Sequence, residues 1–113
     1  MNSGQDLTKQ MDAKLKDLNQ CIRALGKLAR DAATTERDYR IELSKAILKL
    51  KVDGQPATLI PDLARGDSYV ADLKMKRDFA ESFFKSNIEC INAIKTQMRI
   101  LEGYMKQDWG SAE

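Results

Sequence analysis

The chain predicts an all-α protein: an antiparallel helical hairpin of two long helices, dimerising into an elongated four-helix bundle or coiled coil. Three observations carry that prediction. At alternating steps of four and three, the first half reads Met11, Leu15, Leu18, Ile22, Leu25, Ala29, Ala32, Glu36, Tyr39, Leu43, Ala46, Leu50, broken only by Glu36. A second series reads Val70, Leu73, Arg77, Ala80, Phe84, Asn87, Ile91, Ile94, Met98, Leu101, Met105, Asp108, and nine of its twelve members are apolar. Between them lies a stretch holding both prolines of the chain. A 3.5-residue period keeps one stripe of a helix facing a partner helix along its length. At 113 residues, 42% hydrophobic and 32% charged, the chain has the size of a single ordered domain.

Each element has its own signals. The first helix is expected over about residues 5–52, starting near Ser3 with Asp6 three residues on as a capping-box-like pair. Asp53-Gly54 supplies a stop that accepts positive φ, and Pro56 prevents resumption. The connection, 53–66, holds a short helical turn at 61–65, with Pro61 at its first position and Gly66 at its end. Asp67 or Ser68 then caps a second helix that reaches about residue 109. Folding back there sets Ala29, Ala32 and Ala33 opposite Phe83 and Phe84, small against large. Polar residues at seam positions set register or oligomeric state. Glu36 and Arg77 are such a pair, able to serve each other within the hairpin or across a dimer.

Two helices leave apolar surface over. Leu28, Ile41, Ile47 and Leu48 on the first helix lie off the seam, as do Tyr69, Phe79, Phe83, Ile88, Cys90, Ile100 and Trp109 on the second. A stripe widened on one flank is the pattern of a four-helix bundle, so two hairpins are expected to form a homodimer. The core and dimer interface is assigned to Leu28, Ile41, Leu48, Phe79, Phe83, Phe84, Ile88 and Tyr104. A hairpin whose spare face binds a different protein is the alternative. Leu59, Ile60 and Leu63 of the connection are also placed to fold back over Ile41, Leu48 and Phe79.

The chemistry expected is binding, not catalysis. The chain has no histidine, the commonest general base and metal ligand. Cys21 and Cys90, far apart in sequence, make no zinc pattern and read as small buried hydrophobes in reducing surroundings, not as a bridge or ligands. No phosphate-cradling glycine loop and no nucleophile elbow occurs, so no enzyme activity, cofactor or metal is expected. The N-terminus has early acidic residues and no apolar h-region, and no apolar run is long enough for a membrane span, which together predict a cytoplasmic protein. Residues 1–52 carry eleven Lys/Arg against seven Asp/Glu and residues 53–113 eight against ten, so the halves attract on folding.

A basic stripe is the most distinct candidate for function. Lys9, Lys16, Arg23, Arg30 and Arg37 recur every seven residues, Ser44 interrupts, and Lys51 resumes. That spacing sets them on one outward line beside the seam, suited to a phosphate backbone or an acidic protein. Against it stand Asp17, Asp31 and Asp38 next to the stripe, and ordinary pairs such as Asp12 with Lys16 and Lys27 with Asp31. The connection adds Thr58, Asp62, Arg65 and Asp67 as candidate partner-binding residues, on the ground that a plain hairpin needs fewer linking residues; capping by the two aspartates is the simpler account. A DNA-reading helix-turn-helix at Leu63-Ala64-Arg65-Gly66 fails, because Asp67 and Asp72 fall on its core positions.

Two resemblances remain. Tyr104-Met105-Lys106-Gln107-Asp108 resembles the Tyr-x-x-x-Asp/Glu tail of small secreted helical-hairpin proteins of Gram-positive bacteria, although their turn carries a Trp-x-Gly and here Trp109 lies at the far end. Tyr104 is read instead as a core residue flanking the seam. The other runs from Glu36-Arg37-Asp38-Tyr39-Arg40 through Leu43, Ile47 and Leu50, Asp53-Gly54, Thr58, Asp62-Leu63-Ala64-Arg65-Gly66, Val70-Ala71-Asp72-Leu73-Lys74 and Lys76-Arg77-Asp78 to Met98-Arg99-Ile100-Leu101-Glu102. This resembles the small helical proteins encoded in early gene clusters of phages and prophages of Gram-positive bacteria, over about the C-terminal two-thirds of the chain. The resemblance implies a protein of the host-cell cytosol that acts on host or phage macromolecules, a protein partner first and nucleic acid second. No activity comes with it.

Overall fold

The structure, a computed structural model, describes residues 4–112, with side chains described for 4–109. The expected start near Ser3 lies outside the described residues. Three helices make up almost all of the described chain: α1 (Gly4–Val52), α2 (Ile60–Arg65) and α3 (Ser68–Ala112). There is no strand among the described residues. Among the described residues no helix is long and apolar enough to cross a membrane. The chain divides into two compact units, one of residues up to Gly26 with those from Lys85 onward, the other Lys27–Phe84.

The Lys27–Phe84 unit is a helical hairpin whose turn is closed by local hydrogen bonds. Gly54 takes φ +79°, which a Cβ would oppose. The Gln55 N–H donates to the Leu50 carbonyl and the Gly54 N–H to the Lys51 carbonyl, each at 3.1 Å. This pair of bonds satisfies carbonyls that the end of α1 would otherwise orphan. Lys49 and Lys51 lie in the last turn, where cations suit the helix dipole. In α2, Ile60 is the first residue and Pro61 the second, where its missing N–H leaves no helical bond unmade. Gly66 ends α2 with an ordinary φ of −82°, its N–H reaching the Asp62 carbonyl. Asp67 is the cap of α3: its Oδ1 accepts the Val70 N–H at 3.1 Å.

The core of this unit is Tyr39, Ile60, Ala64 and Val70, all buried. Leu43, Leu50, Leu73, Ala80 and Phe84 line it half-buried. Ile60 and Ala64 are four apart and share the inward face of the single turn of α2. Leu59 and Leu63 point away from that face and are exposed, as are Ile41, Leu48 and Phe79. The expected cover of Ile41, Leu48 and Phe79 by the connection is therefore not seen: Ile60 is buried, but those three stay exposed. Ala29 and Ala32 face inward, whereas Ala33 is exposed. Phe84 is the inward phenylalanine and Phe83 the outward one, because adjacent helical positions lie about 100° apart.

In the other unit, α1 residues up to 26 pair with α3 residues from 85. The direction is antiparallel: a Cβ on Gly4 would lie 3.1 Å from Asp108 Oδ2, and Cys21 Sγ lies 3.8 Å from Cys90 Sγ. Leu7, Ile91, Ile94 and Leu101 are buried, with Met11, Leu18, Leu25, Met98 and Met105 half-buried around them. Asn87, one of the polar intruders in the second seam, donates from Nδ2 to the Cys21 carbonyl at 3.0 Å. A bond from a side chain on one helix to a backbone atom of the other fixes their register.

The seam of α1 departs from expectation in this unit. Leu15 and Ile22 are exposed, and Lys14 and Cys21 turn partly inward in their place. Within this unit the members Met11, Leu18 and Leu25 stay inward, and the flank beside them passes from Leu15 and Ile22 to the positions one residue earlier. On α3 the expected series holds except at Asp108, which is exposed.

Candidate functional site

The polar cluster of the Lys27–Phe84 unit is built on Arg77. Its Nη1 lies 3.4 Å from Glu36 Oε2 and its Nη2 2.9 Å from Asp78 Oδ1. Its guanidinium carbon sits 4.6 Å over the Tyr39 ring, a cation–π contact. Arg40 Nε also donates to Glu36 at 2.7 Å, and Lys74 Nζ to Asp78 at 3.0 Å. The Arg40 hydrogen bond holds the Glu36 carboxyl below its ordinary value, against a desolvation cost, with Arg77 adding to the effect. Lys74 and then Arg77 do the same for Asp78. Of these ion pairs only Arg77 with Glu36 joins α1 to α3; the others lie within one helix. Glu36 and Arg77 thus pair within one chain.

The connection residues are taken up by local structure. Asp62 and Arg65 face each other at 3.5 Å, and Arg65 Nε also donates to the Pro61 carbonyl. Asp67 is the cap already described, and Thr58 is exposed. Of these four, Asp62, Arg65 and Asp67 are held in local bonds, and Thr58 is left as the exposed candidate.

The stripe residues Lys9, Lys16, Arg23, Arg30 and Arg37 are all exposed. Arg37 pairs with its neighbour Asp38 at 3.0 Å, and Lys27 with Asp31 at 2.9 Å. The expected Asp12–Lys16 pair is not among the ion pairs of the described residues, and Lys9, Lys16, Arg23 and Arg30 form none there.

The strongest candidate is apolar. On the Lys27–Phe84 unit, Phe79 and Phe83 stack with ring centroids 6.3 Å apart and planes at 17°. They remain 54% and 60% exposed. With Leu28 and Ala80 they line a hollow of about 360 Å³, rimmed by Asp31, Thr34, Thr35 and Lys76. A hollow with an apolar floor and a few polar groups at its edge suits an apolar group of a ligand or partner. Ile41 and Leu48, on the same unit, are exposed too. In the other unit, Met11, Met98, Met105 and Trp109 line a hollow of about 440 Å³ with Arg99, Glu102 and Lys106. Ile88 and Tyr104 are exposed there. Tyr104 is thus a surface residue, not a core one: Leu101 and Met105 take the inward face, and Tyr104 falls on its flank.

No group of three or more His, Cys, Asp and Glu is arranged to hold a metal among the described residues. The thiols depart from the sequence reading. Cys90 is exposed, Cys21 half-buried, and the two touch. The signal was present: setting Glu36 opposite Arg77 in an antiparallel pair sets Cys21 within two positions of Cys90. The chain matches no family model, and comparison with curated proteins and with solved structures gives no match.

Proposed function

We propose that the chain is a non-enzymatic binding protein that works as a homodimer, its two copies forming a four-helix bundle through the face that carries Phe79 and Phe83. The carrying observation is that stacked aromatic pair, more than half exposed beside Leu28. Exposed aromatics that floor a hollow are the usual anchors of protein interfaces. Light scattering across the micromolar range is expected to give twice the mass of one chain. Phe83→Glu is expected to raise the dissociation constant about 100-fold, roughly 3 kcal/mol, with helicity kept. A single-chain mass for the natural sequence throughout that range overturns the dimer. The resemblance to early phage proteins supports a role as an accessory or inhibitory factor, and capture of a host or phage protein by the natural chain but not by Phe83→Glu tests it.

A second reading, a nucleic-acid-associated phage protein, is favoured by four stripe cations that form no ion pair among the described residues. It predicts binding to mixed-sequence duplex that falls steeply with salt and is lost in the Arg23→Glu, Arg30→Glu, Arg37→Glu triple variant. Absence of binding at low salt removes it.

A further inference from the structure

We propose that Cys21 and Cys90 form a modification site: a thiol pair that low-molecular-weight disulfides convert to an intramolecular bridge tying α1 to α3. Three observations converge. The two sulfurs are 3.8 Å apart, in contact but unbonded, although 69 positions separate them in sequence. Asn87, three residues before Cys90 and so on the same side of α3, donates to the Cys21 carbonyl at 3.0 Å. That bond anchors the backbone of one cysteine to the helical turn that presents the other. Finally, the thiols differ in access, since Cys90 is exposed and Cys21 half-buried.

The difference in access sets the order of steps. Cys90, as thiolate, attacks one sulfur of a reagent disulfide RSSR. A bond forms from Cys90 Sγ to that sulfur, the reagent S–S bond breaks, and the departing thiolate takes up the proton that Cys90 released. Cys21, as thiolate, then attacks Cys90 Sγ, expelling the second reagent thiolate, which takes the Cys21 proton. Two protein thiols are oxidised and one RSSR is reduced to two RSH. Burial first, then the neighbouring Cys90 and Asp17, hold the Cys21 thiol above its ordinary value. This favours Cys90 as the first to react. The sulfurs have to close from 3.8 Å to a bonded separation of about 2.05 Å.

The test is oxidation of the full chain with glutathione disulfide, followed by intact mass and thiol counting. The natural chain is expected to lose two hydrogens and both titratable thiols while staying one covalent chain. Its Tm is expected to rise by about 10 °C or more, because the bridge closes a long loop in the unfolded chain. Cys21→Ser is expected to stop at a lasting glutathione adduct on Cys90. Cys90→Ser is expected to react at least about 10-fold more slowly. Circular dichroism of both serine variants, matching the natural chain, keeps misfolding out of the comparison. A glutathione adduct that persists on the natural chain, or a bridge between two chains in place of the internal one, overturns the proposal.

Discussion

Replacing Tyr39 with alanine is expected to lower the unfolding free energy by about 3–4 kcal/mol, measured by chemical denaturation. Tyr39 is the one buried aromatic of the Lys27–Phe84 unit. Its ring also supports Arg77 from 4.6 Å, so truncation removes burial and a cation–π contact together. Arg77→Met, which keeps most of the stem, is expected to cost less, about 1–2 kcal/mol. Exchanging the charges, Glu36→Arg with Arg77→Glu, is expected to recover part of what each single change loses. Additive losses argue against direct coupling.

The same cluster fixes the sign of the acid response. The folded carboxyls of Glu36 and Asp78 lie below their ordinary values. Their contribution to stability is therefore complete above the ordinary carboxylate range and is lost as pH falls through the lowered folded values. Arg77→Met weakens that dependence, because Arg77 is a shared cause of both depressions. An unchanged acid slope in that variant counts against the cluster as the stabilising unit.

Truncating Ile94 to alanine is expected to cost about 3 kcal/mol, and the same change at Ile22 less than about 1 kcal/mol at concentrations where the chain is monomeric. Both residues belong to the apolar series that the sequence shows, yet Ile94 is 7% and Ile22 48% exposed. Denaturation of both variants at several protein concentrations checks the pair. Equal losses at every concentration overturn the inward line drawn for α1. A loss at Ile22 that grows with protein concentration places that residue under a second copy.

Much of the local architecture was legible because it depends on near neighbours. Asp53-Gly54 and Asp67 act within a few residues of themselves, through backbone geometry and capping. The apolar series of α3 was equally legible, since Ile91, Ile94 and Leu101 are strongly apolar and face inward. The α1 series was legible as a helix but not as a facing. Leu15 and Ile22 face outward, and Lys14 and Cys21, one position earlier, turn partly inward beside Met11, Leu18 and Leu25. The aromatic hollow was legible only as leftover apolar residues: periodicity set Phe84 on the seam and Phe79 and Phe83 off it, but not that the two outward rings stack beside Leu28.

By itself, then, the sequence determined two long helices, the turn that separates them and the absence of histidine, all of them properties of short stretches or of composition. Tertiary structure alone decided that Glu36 meets Arg77 within one chain, that Asn87 pins Cys21 and that two distant thiols touch. The physical reason is that register between helices is set by contacts between residues far apart in the chain. Periodicity specifies the face that each helix offers, but not its rotation or the height at which the partner lies against it.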